Sequence, residues 1–259
     1  MNANSFDRYL ARASVVHRLD PRVKVVVALA FIAGVALLPD GAWAVYGAAV
    51  GLVLAAAVAA RLSPWLVVRR SLVGLPFLLA AVTVLFIPGR IVVAGPWGLD
   101  VSDAGLIRFG SIVGRSLISL SAAVLLTATT RFPDVLHALR HLRVPAVLVA
   151  IIAFMYRYLF VLVEEVERLL RARASRSARP VGGGGGGSLG WRAGVAGHMA
   201  GQLLLRSLDR SDRVYAAMQA RGYRGELLTL APHAMRAVDW LALGGGLVAV
   251  VVLQLLAHM

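Results

Sequence analysis

A chain of 259 residues that is 59% apolar and only 15% charged has the composition of an integral membrane protein, which sets aside soluble enzymes and disordered tails. The net charge of +14 does not point to nucleic acid, because no basic domain stands apart from the hydrophobic segments and arginines beside membrane spans set topology. With no cysteine, disulfides, thiolate metal sites and a cysteine nucleophile are excluded.

The first twenty residues carry Asp7, Arg8, Arg12, Arg18 and Asp20 without an apolar core, so no cleavable signal peptide is expected there. Asp20-Pro21 supplies an N-cap and a proline for the first helical position, which predicts a helix start. Apolar runs follow at 24–38 (with Lys24 snorkelling at its end), 43–60, 71–87, 109–129 and 237–257, each close to the ~20 residues a spanning helix needs. Pro76 predicts a kink in the third. The N-terminal segment and the loop holding Arg61, Arg69 and Arg70 are basic and therefore cytoplasmic. The loops 39–42 and 88–104 face outward, with Asp40 in one and Arg90 against Asp100 and Asp103 in the other.

From Arg131 to Leu230 the chain carries more than half of its 27 basic residues. The apolar run 145–163 inside this region is long enough to cross, yet basic clusters flank both ends and Arg157 lies within it. A lipid-facing arginine costs ~2.5–3.5 kcal/mol on insertion scales. The run is therefore expected to be buried in the protein at a slant and to continue as a charged cytoplasmic helix to about Ser177. Glu164→Arg168 and Glu167→Arg171 should support it as i,i+4 pairs. Six glycines at 182–187 read as a linker. A second long helix, Leu189 to Gly222, places Leu204, Leu208, Ser211, Tyr215, Met218 and Gly222 on one stripe. Arg206, Arg210, Arg213 and Arg221 lie on the opposite one, with Asp209→Arg213 as a further i,i+4 pair. The expectation is an all-α membrane protein of about five crossings: a membrane region at 1–130, coupling helices at 131–230 and a last span at 231–259.

Both long cytoplasmic helices end in a small–Arg–small tripeptide, Ser175-Arg176-Ser177 and Ala220-Arg221-Gly222. Small neighbours let a guanidinium project from a helix end, where its fork suits an acidic groove on another protein. Ordinary positive-inside anchoring is the alternative. His137 and His141, at i,i+4, could share a metal, but no third ligand is evident and two polar residues on a short helix are the simpler reading. Glu164-Glu165 followed by Arg168 approaches an intramembrane protease motif, without the histidines that would complete it. Arg108 and Arg115 share a face of the fourth span; Arg108 should snorkel outward and Arg115 needs an interior partner. Asp239 is read as a cap or a snorkelling residue at the head of the last span. The predicted spans hold no interior carboxylate of the kind an ion-coupled carrier uses, and no Walker loop G-x-x-x-x-G-K-[S/T] occurs. Any energy for transport must then come from another polypeptide. A self-sufficient secondary carrier is the rival from another class, and a membrane enzyme is a distant third.

Four stretches carry a resemblance: F-D-R-Y-L-A-R-A-S-V-V-H-R-L-D-P-R-V-K at the N-terminus, R-F-P-D-V-L-H-A-L-R-H-L-R-V-P, Y-R-Y-L-F-V-L-V-E-E-V-E-R, and R-S-L-D-R-S-D-R-V-Y-A-A-M-Q-A-R-G-Y-R-G. In this order they resemble the transmembrane T component of energy-coupling factor (ECF) importers, closest to the cobalt-type CbiQ subgroup. The resemblance implies a non-catalytic scaffold in the bacterial plasma membrane that binds no cofactor. Its partners would be two cytoplasmic ATPase subunits, a CbiM-like substrate-binding membrane subunit and membrane lipid, but no nucleic acid. It further implies that Arg176 and Arg221 dock into grooves on the ATPases. Leu204, Leu208, Tyr215 and Met218 would pass the movement to the substrate-binding subunit. Ser-Arg-Ser stands where many relatives show Ala-Arg-Gly, so Arg173 and Arg179 are rivals for the first tip. Cobalt is the implied cargo, with nickel, biotin and thiamine served by similar components.

Overall fold

A computed structural model describes residues 9–74, 76, 81–86, 91–93, 101–176, 188–225 and 235–258. Nine helices run in chain order through the described residues: α1 (Val15–Arg18), α2 (Pro21–Ala36), α3 (Trp43–Ala59), α4 (Pro64–Ser71), α5 (Asp103–Thr129), α6 (Phe132–His141), α7 (Ala146–Arg176), α8 (Leu189–Ala220) and α9 (Ala237–His258). Among the described residues the secondary structure is helical apart from one small antiparallel pair, β1 (Ile91–Val93) with β2 (Val101–Ser102), in a segment where no strand was expected. By length and composition α5, α7 and α9 can each cross a membrane, while the apolar α3 is shorter.

Two compact units emerge. The larger comprises Asp7–His141 with Pro232–Met259, and the second is centred on Leu142–Ala231. In the larger unit α2 packs against α5, α6 and α9, and α3 and α4 pack on α5. Its core is aliphatic, with Val35, Leu38, Ala49, Ala57 and Ala128 almost fully enclosed. Glycines set the closest approaches: a Cβ on Gly246 would meet the Val27 side chain at 2.7 Å, and one on Gly105 would meet the Leu85 carbonyl oxygen at 2.5 Å.

The start of α2 matches the sequence reading, since the Asp20 carboxylate accepts from the Arg22 N–H at 2.9 Å and Pro21 opens the helix. Lys24 does not snorkel away. Its ammonium turns back to donate to the Thr129 carbonyl at 3.1 Å, one of the C-terminal acceptors that α5 leaves unfilled. The described residues of the third predicted span are partly 3-10 in place of α-helical. α4 begins at Pro64, gives way to a 3-10 turn at Leu72–Gly74, and a second 3-10 stretch follows at Val82–Phe86. The kink expected at Pro76 falls next to residues 75 and 77–80, which lie outside the described residues, while Gly74 lies where a Cβ would strike the Leu120 side chain at 2.7 Å. The fourth predicted span starts earlier than 109, at Asp103, with the Ser102 hydroxyl accepting from the Gly105 N–H at 2.9 Å.

Arg115 finds its partners at the turn between α2 and α3, one enclosed and one part-exposed. It donates to the Leu38 carbonyl at 2.9 Å, just past the end of α2, and pairs with Asp40. Arg108 joins the same carboxylate at 3.5 Å, so the two arginines close the α2–α3 turn and serve structure. Asp239 caps two helices at once: one oxygen accepts the Asp20 N–H at 2.9 Å, the other the Arg236 N–H at 2.8 Å.

Candidate functional site

The arginine-rich helices α7 and α8 make up the second unit. The first half of α7 is not buried in this chain as 145–163 was expected to be: only Ala150 is enclosed, and Val147, Ile151 and Met155 are exposed. The unit has α8 as its one other described helix, too little surface to cover an apolar run on every side. The charged half is tied to α8 through Glu165. Its carboxylate accepts from Arg206 of α8 at 2.6 Å and pairs with Arg168 at 2.8 Å. Arg168 thus pairs at i,i+3 in place of the Glu164 expected at i,i+4, because Glu165 is the carboxylate enclosed between the helices. Glu167 and Arg171 do pair, at 3.7 Å, whereas Asp209 and Arg213 form no ion pair.

On α8 the half-buried positions Val195, Met199, Leu203, Ser207, Arg210, Val214 and Met218 recur at steps of three and four residues, on the side of Arg206. The side predicted to be apolar is left open: Leu204, Leu208 and Tyr215 are more than half exposed, and Met218 alone of that set is half-buried. Sequence periodicity found the stripe but could not say which face met α7. The Glu165–Arg206 bridge decides it.

The end of α8 is sharply built. Arg221 is the cap residue, Gly222 takes φ +79°, its N–H donates to the Gln219 carbonyl at 2.9 Å, and the Tyr223 N–H donates to the Met218 carbonyl at 3.0 Å. This is the Schellman arrangement, and Gly222 is there because its backbone is left-handed. Arg221 therefore leaves the helix at its last turn, exposed and flanked by Ala220 and Gly222. Arg176, the last residue of α7, is likewise exposed, and Ser175 donates its hydroxyl back to the Ala172 carbonyl at 2.9 Å. Ser177, Arg179 and the glycine run 182–187 lie outside the described residues.

In the larger unit, His137 and His141 do not stand free for a metal. One Arg22 guanidinium reaches His137 Nε2 at 2.9 Å and His141 Nε2 at 3.3 Å. Arginine can only donate, so both ring nitrogens accept. Among the described residues no group of three or more His, Asp or Glu is placed to hold a metal ion.

The Arg206 hydrogen bond, helped by Arg168, holds the Glu165 carboxyl below the usual carboxylate range. A lowered acid strengthens the α7–α8 contact above its unfolded pKa of ~4.3, and the contribution is lost as pH falls through the depressed folded value. Spin labels at exposed positions 170 and 216 should report an unchanged separation from neutral pH through the ordinary carboxylate range, then broadening as the pH falls below it. Glu165→Gln should show the broadening already at neutral pH, and a separation indifferent to both changes contradicts the clasp.

The family profile described as "CbiQ: Cobalt transport protein" matches residues 12–230. The energy-coupling factor transporter transmembrane protein EcfT of Heliobacterium modesticaldum is 31% identical over 231 residues, covering 84% of this chain and 83% of its own. The EcfT of Thermosediminibacter oceani is 27% identical, covering 87% and 86%. The cobalt transport protein CbiQ of Rhodobacter capsulatus is 32% identical over 136 residues, about half of each chain.

Proposed function

We propose that this chain, which belongs to the CbiQ family and is the non-catalytic transmembrane T component of an energy-coupling factor transporter, converts nucleotide-driven movement of two cytoplasmic ATPase partners into uptake of cobalt through a separate substrate-binding membrane subunit. The observation that carries the reading is the pair of exposed arginines at the ends of α7 and α8, with Arg221 aimed by a Schellman cap. Each tip enters a groove on one ATPase. When the grooves approach and part, the α7–α8 crossing shears, a transition that packed helices can make. The open stripe of Leu204, Leu208 and Tyr215, with Met218 beside it, is the face that meets the substrate-binding subunit. Residues 131–230 are the coupling region, and 1–130 with 231–259 form the membrane region. Cobalt as cargo is supported by the family description and by the Rhodobacter capsulatus relative. Arg22 on His137 and His141 fits a cargo held by another subunit.

Reconstitution tests this. The purified chain alone in liposomes should take up no cobalt with or without ATP. Adding the ATPase pair and the substrate-binding subunit should give uptake that stops when ATP is withheld. Nickel, biotin or thiamine accumulating in place of cobalt reassigns the cargo, and ATP-independent uptake by the chain alone overturns the proposal.

The N-terminus and the coupling region lie in the cytoplasm, the C-terminus outside, with α7 not crossing. Arginines gather at the expected cytoplasmic ends, among them Arg18, Arg61, Arg69 and Arg236. A reporter fused after residue 259 should read outside and one inserted at 182–187 inside; the reverse, or both on one side, breaks the five-crossing arrangement.

A further inference from the structure

Two cavities of the larger unit adjoin each other and share Leu19, Lys24 and Thr129. The first is an apolar slot of about 310 Å³. Its walls fall within four short stretches, 23–31 of α2, 52–60 along and just past α3, 122–129 of α5 and 242–249 of α9, together with Val16 and Leu19. Eight or nine helical residues rise ~11–13 Å, so the slot runs from the basic ends of these helices through most of one leaflet of a ~30 Å hydrocarbon core. Small side chains such as Ala28, Ala56 and Ala249 leave the room. The volume sits at the low end of the ~300–1,000 Å³ typical of small-molecule pockets, suited to one extended hydrocarbon chain.

The second cavity, about 350 Å³, is polar. Three cations line it, Arg18, Lys24 and Arg236, and three carboxylates, Asp20, Asp134 and Asp239. The Asp239 oxygens are both engaged on backbone N–H groups. Asp20 is different: Oδ1 caps α2, while Oδ2 is buried without a hydrogen-bond partner, on a residue only 5% exposed. A buried carboxylate oxygen left unpaired is costly and calls for a donor. Lys24 spends one ammonium hydrogen on Thr129, leaving two for an acceptor in the basin.

A tail-sized slot most of a leaflet deep, opening into a charge-balanced basin, has the layout of a site for a single amphiphile. We propose that it binds one inner-leaflet phospholipid with a zwitterionic, N–H-bearing headgroup, phosphatidylethanolamine. One of its two acyl chains lies in the slot and the other stays in the surrounding bilayer, its phosphate faces Lys24 with Arg18 or Arg236, and its ammonium donates to Asp20 Oδ2. A purely anionic headgroup would meet three carboxylates with no cation of its own to satisfy them. A choline headgroup brings positive charge but no N–H for Asp20.

The full chain, purified in mild detergent and equilibrated with equal phosphatidylethanolamine, phosphatidylcholine and phosphatidylglycerol, should retain one phosphatidylethanolamine by native mass spectrometry. Preference over either competitor should be at least about tenfold. Ala28→Phe and Ala249→Phe, which place a ring in the slot, should each lower occupancy by a similar factor. Because the headgroup competition uses the unaltered chain, a variant that fails to fold leaves the test intact. No retained lipid, equal retention of phosphatidylcholine, or a preference for phosphatidylglycerol overturns the proposal, as does undiminished binding by folded slot-filling variants. None of these outcomes bears on the ATPase coupling, which is read separately by co-purification.

Discussion

Arg221→Glu is expected to leave the protein inserted and folded but unable to hold the ATPases through detergent purification, with uptake falling to background. Arg221 is exposed and makes no bond within the chain beyond its backbone N–H, so nothing in the fold depends on its charge. In an acidic groove the situation differs. Losing one partner of a desolvated charge pair costs about 2–5 kcal/mol, roughly 30-fold or more in affinity, and reversal adds repulsion between the new glutamate and the groove. Arg176→Glu should weaken retention less, because Arg173 and Arg179 lie within one helical turn in sequence. Arg192→Glu, exposed near the start of α8, is the control and should change nothing. Gly222→Val separates aim from charge: it keeps the guanidinium but forces a β-branched residue to φ +79°, spoiling the cap that directs Arg221. Partial loss of retention is expected from it. Full retention of the ATPases by Arg221→Glu would mean that the tip is an ordinary membrane-facing anchor.

Asp239→Ala should give the largest loss of stability of any single substitution in the larger unit. Asp239 is 4% exposed, and its carboxylate is the acceptor for two backbone donors at helix starts, Asp20 N–H and Arg236 N–H. The reach from Asp239 back to Arg236 is the closing half of a capping box, and the bond to Asp20 joins α9 to the beginning of α2 across most of the chain length. Alanine strands both donors. Each unsatisfied buried group costs about 1–3 kcal/mol, so roughly 2–6 kcal/mol is lost against a typical total of about 5–15. A thermal series followed by size-exclusion chromatography in detergent should show the midpoint drop by several degrees. Asp239→Asn keeps one acceptor oxygen and should fall between the two. An alanine variant as stable as the parent would show that the double cap is dispensable.

Much of this was legible in the residues because it rests on local chemistry. The N-cap at Asp20-Pro21, the span of α8 and its stop at Gly222 depend on a few neighbouring side chains and on glycine's freedom at positive φ. The family is legible for a similar reason: the Ala-Met-Gln-Ala-Arg-Gly-Tyr-Arg-Gly segment, residues 217–225, is itself one compact structural unit, a helix end and its cap. Loop charge is a one-dimensional signal, so an orientation could be argued before any fold was at hand.

What the chain could not disclose residue by residue were pairings between distant segments. Apolar length alone suggested a helix through 71–87, but the close approach of Leu120 to Gly74 belongs to the packing of α5 and is invisible in a hydropathy pattern. Periodicity divides α8 into two stripes equally well whichever one meets α7, and Glu165 is one of two adjacent glutamates until Arg206 is placed beside it. His137 and His141 read as two polar residues on a short helix, but their shared partner Arg22, more than a hundred residues away, could not be read from their spacing. Local propensity and charge determine elements and their ends. Which faces touch, which polar atoms find partners and which cavity stays open follow only from how those elements pack.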